Sequence, residues 1–116
     1  MSDNIRAAAT VLVLRDGVEA PEVFMVRRHD RATFMGGAHV FPGGAVDASD
    51  REAADPARID GMAHATGQLP ALDPVEAVAH HIAAIRELFE EAGILLARNR
   101  AGLFVNPSDR IVRDRL

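Results

Sequence analysis

Arg86-Glu87-Leu88-Phe89-Glu90-Glu91-Ala92-Gly93-Ile94, read with the upstream Phe41-Pro42-Gly43-Gly44, decides how this chain folds. In a helix Glu87, Glu90 and Glu91 stand at i, i+3 and i+4, so one face carries three carboxylates. Close carboxylates repel unless a cation or a proton intervenes. Hard divalent cations take oxygen ligands of this kind, with waters and substrate phosphates completing the shell. The competing account is an ordinary surface helix with solvated Arg–Glu pairs. The upstream Gly-Gly turn and the glycine that ends the run weigh against it.

Working outward, the helix has a clear start. Asp73 is a good N-cap, Pro74 suits the first helical position, and Glu76 stands three residues after the cap. Val75, Val78, Ile82, Ile85 and Phe89 recur at helical spacing with Leu88 beside them, a stripe for the core. Gly93 is the expected stop. Upstream, the pattern predicts short strands over 7–14, 22–27 and 38–41. The first two would pair antiparallel across the Arg15-Asp16-Gly17 turn. The third is stopped by Pro42-Gly43-Gly44, after a polar loop over 29–37. Residues 47–72 have weak periodicity and are punctuated by Pro56, Gly61, Gly67 and Pro70. They read as an irregular surface insertion with a short helix over 51–59. Past Gly93, residues 94–96 and 101–105 read as strands and 109–116 as a polar ending with helical potential.

The 116 residues are 48% hydrophobic and carry a net charge of −4. That bounds the chain to one domain with a modest core, and leaves no basic footprint for nucleic acid. Cysteine is absent, which excludes disulfides, zinc–thiolate sites and a cysteine nucleophile. Every basic side chain is arginine, so lysine Schiff-base chemistry and the Walker-type phosphate lysine are excluded too. The N-terminus lacks the organisation of a secretory signal and no run approaches a membrane span. The expectation is a cytoplasmic protein with no membrane partner.

Residues 86–94 match the second half of the Nudix box (arginine, glutamate, apolar, any, glutamate, glutamate, any, glycine, apolar) at every defined position. The chain therefore resembles a Nudix hydrolase, a family that cleaves nucleoside diphosphates linked to another group. The resemblance implies an α/β fold: an α/β/α sandwich around a mixed sheet, with 1–116 forming a single, partial domain. It implies Mg²⁺ or Mn²⁺ as cofactor, held by Glu87, Glu90 and Glu91, which are also the expected catalytic carboxylates. Arg86 would brace the loop-helix-loop through charge-assisted bonds to carboxylate or carbonyl oxygens. Its plainer alternative is an i,i+4 ion pair with Glu90. Gly43 and Gly44 permit φ > 0 and a close backbone approach to metal and phosphate. The implied reaction is metal-assisted hydrolysis of a small-molecule pyrophosphate, in which a water acidified by the cation attacks one phosphorus.

One departure narrows the resemblance. The ordinary box places a glutamate six residues after its first glycine and the arginine eight residues later. Here the sixth residue after Gly44 is Asp50, and Arg86 follows 36 residues after that. The 47–72 segment therefore interrupts the box. Asp50, and less so Asp47, would stand where acidic loop residues usually stand; the alternative is a loop aspartate bonding its own backbone. The string Arg27-Arg28 … Phe34-Met35-Gly36-Gly37-Ala38-His39-Val40-Phe41-Pro42-Gly43-Gly44, then a long insert, then 83–96, resembles the nudix-type-19-like coenzyme A diphosphatase branch. That implies coenzyme A or acyl-coenzyme A as the favoured substrate.

Three further groups carry open readings. Arg27 and Arg28 face either an anionic substrate or solvent at a strand end. His39, entering the Gly-Gly turn, contacts phosphate or is a satisfied structural residue. His80, seven residues before Glu87, is either near the metal or solvated. The resemblance also implies strands and a helix beyond the box, for which the residues after Gly93 leave little room. The resulting expectations are a homodimer that completes the sheet in trans, a shortened product, or a non-catalytic module that binds a nucleotide or a protein.

Overall fold

The computed structural model describes residues 5–28 and 36–106. Six short strands precede three helices: β1 (Ala8–Thr10), β2 (Leu14–Arg15), β3 (Glu22–Val23), β4 (Val26–Arg27), β5 (His39–Val40) and β6 (Gly43–Ala45), then α1 (Ala48–Ala53), α2 (Met62–Gln68) and α3 (Pro74–Ala92). The strands form three antiparallel pairs, β1–β6, β2–β3 and β4–β5. Their registers place Ala9 opposite Gly44, Leu14 opposite Val23, and Arg27 opposite His39. Further main-chain bonds extend the ladders, from Val11 N–H to Pro42 O (2.8 Å) and from Val46 N–H to Ala7 O (2.9 Å). A mixed sheet was expected; among the described residues every strand pair is antiparallel.

The expected strands are broken into shorter ones. Residues 7–14 divide into β1 and β2, which pair with different partners, and 22–27 divide into β3 and β4. The larger correction concerns Pro42-Gly43-Gly44, which does not stop the sheet. Gly43 and Gly44 lie inside β6 and pair with β1. Neither is among the glycines with positive φ. Their use is proximity: a Cβ on Gly43 would sit 2.3 Å from the Ala9 carbonyl oxygen.

α3 follows the sequence signals at both ends. The Asp73 side chain accepts the Glu76 N–H at 3.0 Å, Pro74 opens the first turn, and Gly93 closes the helix at φ 69°. Val78 and Leu88 of the expected stripe are buried, together with Ala77, Ala79 and Ala83, while Val75 and Ile85 of the stripe are exposed. Small side chains let α3 close onto the β1–β6 pair: Ala79 and Ala83 pack with Val46, Ala7 and Ala9. Larger residues at those positions would hold the helix away from the sheet.

The 47–72 segment holds two helices where one was expected over 51–59. α1 begins earlier because Asp47 caps it and Asp50 returns its carboxylate to the Asp47 N–H at 2.8 Å. α2 follows a Gly61 at φ 82°. Residues 94–96 and 101–105 form no named strand; they carry an isolated bridge between Arg98 and Phe104. The predicted ending over 109–116 and most of the loop over 29–37 lie outside the described residues. Among the described residues no helix is long and apolar enough to cross a membrane.

Candidate active site

Arg86 sits at the centre of a carboxylate network. Its Nε and Nη2 donate to the two carboxylate oxygens of Asp50, each at 2.9 Å. Nη2 also reaches the Ala45 carbonyl at 3.2 Å, and Nη1 donates to Glu87 at 2.9 Å and to Glu90 at 3.2 Å. The Asp47 carboxylate lies 3.4 Å away. Asp50 is 1% exposed, and its partner is a planar fork that matches a carboxylate bidentately. The Arg86 bonds hold the Asp50 carboxyl below its ordinary value, against the opposing effect of burial. Asp50 in turn raises the guanidinium pKa of Arg86. The bracing bonds of Arg86 and its i,i+4 pair with Glu90 therefore coexist in the geometry.

The network aims Glu87 at the strand turn. Its carboxyl covers Gly44 so closely that a Cβ there would lie 2.6 Å from the Glu87 Cδ. Glu91 stands beside it. Desolvation pushes the Glu91 carboxyl above the usual range, and the hydrogen-bonded Glu87 carboxyl adds to that; the Gly43 main-chain N–H and the nearby Arg28 act in the opposite direction.

Beside Glu91 opens a cleft of 610 Å³. β1 (Ala8, Ala9, Thr10), Arg27, Arg28, Gly43, Gly44 and Glu91 are among the residues lining it. The β1 residues were not anticipated, and nothing in their types marks them: they reach the cleft because β1 pairs with the glycine strand. His39 does not line the cleft; it is exposed on β5. His80 does not line it either. Its Nδ1 meets the Glu76 carbonyl at 2.7 Å, and the ring borders a separate 270 Å³ hollow with His81 and Leu69.

No family model matches the chain. Curated proteins do, among them the following. The acyl-coenzyme A diphosphatase NUDT19 of Homo sapiens is 36% identical over 110 residues, covering 71% of this chain and 28% of its own. The acyl-coenzyme A diphosphatase NUDT19 of Gallus gallus is 38% identical over 95 residues, covering 65% and 25%. A crystal structure of a NUDIX hydrolase from Alicyclobacillus acidocaldarius superposes with a TM-score of 0.61 at 38% identity, over 88% of this chain and 43% of that one. The chain is a relative of the Nudix hydrolases. It has the α/β Nudix fold, and it spans about a quarter of the length of the curated relatives it matches.

The Nudix helix, α3, differs from expectation in one respect. Among the described residues no three His, Asp or Glu side chains converge closely enough to hold a metal ion. Of the expected trio, Glu87 and Glu90 both bond Arg86 Nη1, at 2.9 and 3.2 Å, and Glu90 is half exposed. The Glu87–Glu91 pair stands beside Gly43 and Gly44. That pair fits a divalent cation of the Mg²⁺ kind. Such ions take one or two carboxylates and complete their shell with water and substrate phosphate. The mutual repulsion of Glu87 and Glu91 is the strain that a cation would relieve.

Proposed function

We propose that this chain carries the site of a divalent-cation-dependent hydrolase. The reaction would cleave the pyrophosphate linkage of a nucleoside diphosphate joined to another group, with coenzyme A or acyl-coenzyme A the favoured substrate. The observation that carries this reading is Glu91 lining an arginine-bearing cleft with Gly43 and Gly44, next to a Glu87 carboxyl packed against Gly44. The acyl-coenzyme A diphosphatase activity for which the human and chicken relatives are named supports the coenzyme A choice.

Each residue then has a distinct task. Glu87 and Glu91 would hold Mg²⁺ or Mn²⁺, and a cation bound there would supply charge neutralisation and an acidified water. Arg86 fixes the Glu87 carboxyl and ties the helix to Asp50 and the Ala45 carbonyl. Gly44 leaves room for the Glu87 carboxyl against the strand, and Gly43 lets β1 close on β6 at the cleft. Arg27 and Arg28 supply positive charge on the cleft wall, where a bidentate fork suits phosphate. Positioning and electrostatics of this kind make up most of what phosphoryl transfer requires.

A second reading, a module that binds a nucleotide without cleaving it, draws on the division of the three carboxylates. Product analysis separates the two. Incubation with coenzyme A, acyl-coenzyme A, nucleotide sugars, NADH and dinucleoside polyphosphates, with Mn²⁺ or Mg²⁺, should show cation-dependent cleavage. Glu91→Gln should lower turnover by roughly 100-fold or more, and Glu90→Gln by less. Tight binding without cleavage of any compound would favour the module. Equal losses in the two variants would return Glu90 to the cation site.

A further inference from the structure

α1 and α3 are joined by two ion pairs of opposite polarity. Asp50 of α1 receives Arg86 of α3; the next residue of α1, Arg51, gives its guanidinium to Glu76 of α3 through Nε (2.5 Å) and Nη2 (3.2 Å). Glu76 lies in the first turn of α3 and Arg86 in its second half, ten residues apart, or about 15 Å along the axis. A single pair would leave α1 free to pivot about its attachment. Two attachments that far apart fix its orientation. Glu76 also departs from the usual helix-start geometry. At the third position of a capping box its carboxylate would return to the cap's own N–H. The Asp73 cap accepts from the Glu76 main chain, while the Glu76 side chain bonds Arg51 instead.

Where an acidic loop residue and its arginine are eight residues apart, the short connection itself sets their register. Here 36 residues separate Asp50 from Arg86. We propose that Arg51 and Glu76 form a positioning pair that replaces this lost local constraint. By clamping α1 across α3, the pair presents Asp50 to Arg86, and Arg86 then holds the Glu87 carboxyl against Gly44 and beside Glu91. The assignment rests on the proposed hydrolysis for its turnover readout, but not for its cation-affinity readout.

The test uses the full chain and Mn²⁺ alone, titrated by water-proton relaxation, in parallel with turnover of coenzyme A. Arg51→Glu and Glu76→Arg should each weaken Mn²⁺ binding roughly tenfold and lower kcat by a similar factor, with KM little changed. The double variant Arg51→Glu/Glu76→Arg, which restores the pair with its polarity reversed, should recover both quantities. The charge-neutral Arg51→Gln and Glu76→Gln serve where a charge reversal fails to fold. Single variants that lose thermal stability yet keep wild-type Mn²⁺ affinity would overturn the proposal, as would a double variant that recovers neither quantity. If no preparation cleaves coenzyme A, the hydrolase reading fails for that substrate, while the Mn²⁺ affinities still decide the clamp.

Discussion

α1 and α2 lie in the same segment between the glycine strand and α3, yet they are held to α3 in different ways. α1 inserts a carboxylate that is 1% exposed and exchanges two ion pairs with α3. α2 has no buried residue and starts on a glycine with no side-chain cap. Its Gln68 reaches His81 only at 3.4 Å, on the surface. Desolvation explains why the difference matters. A carboxylate taken out of water must be fully satisfied, so the position of Asp50 is set by Arg86 and the Asp47 N–H. A solvated helix on a surface has no comparable demand. The first half of the segment thus belongs to the site and the second half covers it.

The sharpest way to break this comparison is Asp50→Ala. It leaves Arg86 without its bidentate partner, and the expected loss of stability in urea unfolding is about 3 kcal/mol, the lower end for a broken buried pair because Arg86 keeps some solvent contact. The sign with pH follows from the lowered Asp50 pKa. A carboxyl whose folded value lies below its ordinary 3.8 contributes stability above that value and loses it as pH falls through the folded one. Wild type should therefore lose stability below about pH 4 more steeply than Asp50→Ala. Parallel acid profiles for the two proteins would show that Asp50 is not the group that couples folding to protons.

How much of this was legible in the sequence depended on the reach of each rule. The ends of α3 rest on Asp73, Pro74 and Gly93, whose effects are local, and they stand where expected. The Gly43–Gly44 strand was misread as a stop because glycine is a poor strand former, and its partner β1 lies more than 30 residues upstream. The buried face of α3 was misassigned in part for a similar reason. Hydrophobic size favoured Val75 and Ile85, whereas close approach to β1 and β6 favoured Ala79 and Ala83. Within the site, the spacing of Glu87, Glu90 and Glu91 gave a shared face but not a shared point. The Arg86–Glu90 pair at i,i+4 was legible from spacing; that Arg86 also grips Asp50 from 36 residues upstream was not fixed by spacing. Arg51 and Glu76 carried no separate signal, since Glu76 already had a place in the helix-start pattern.

A smaller effect sharpens the contrast from the α2 side. Gly61 has φ 82°, and a Cβ there would meet nothing within 4 Å. Gly61→Ala therefore tests backbone strain alone. The expected cost is about 1 kcal/mol in thermal or urea unfolding, with Mn²⁺ affinity unchanged. A loss of Mn²⁺ affinity in this variant would mean that α2 transmits its position to Glu87 and Glu91, and the division between the two helices would not hold.

The smallest effect has the opposite sign. Gly67 lies within α2, near its end, with no neighbour in the path of a Cβ and without a left-handed backbone. An alanine there loses less backbone entropy on folding and adds no clash. Gly67→Ala should raise stability by about 0.5 kcal/mol, read as a small upward shift of the unfolding midpoint, with cation affinity and turnover unmoved. The direction matters more than the size. A helix that only covers the surface can be stiffened without consequence for chemistry, whereas one whose motion admits substrate cannot. A Gly67→Ala protein that is more stable but turns over more slowly would show that α2 moves during the reaction, and the passive role assigned to it would have to be withdrawn.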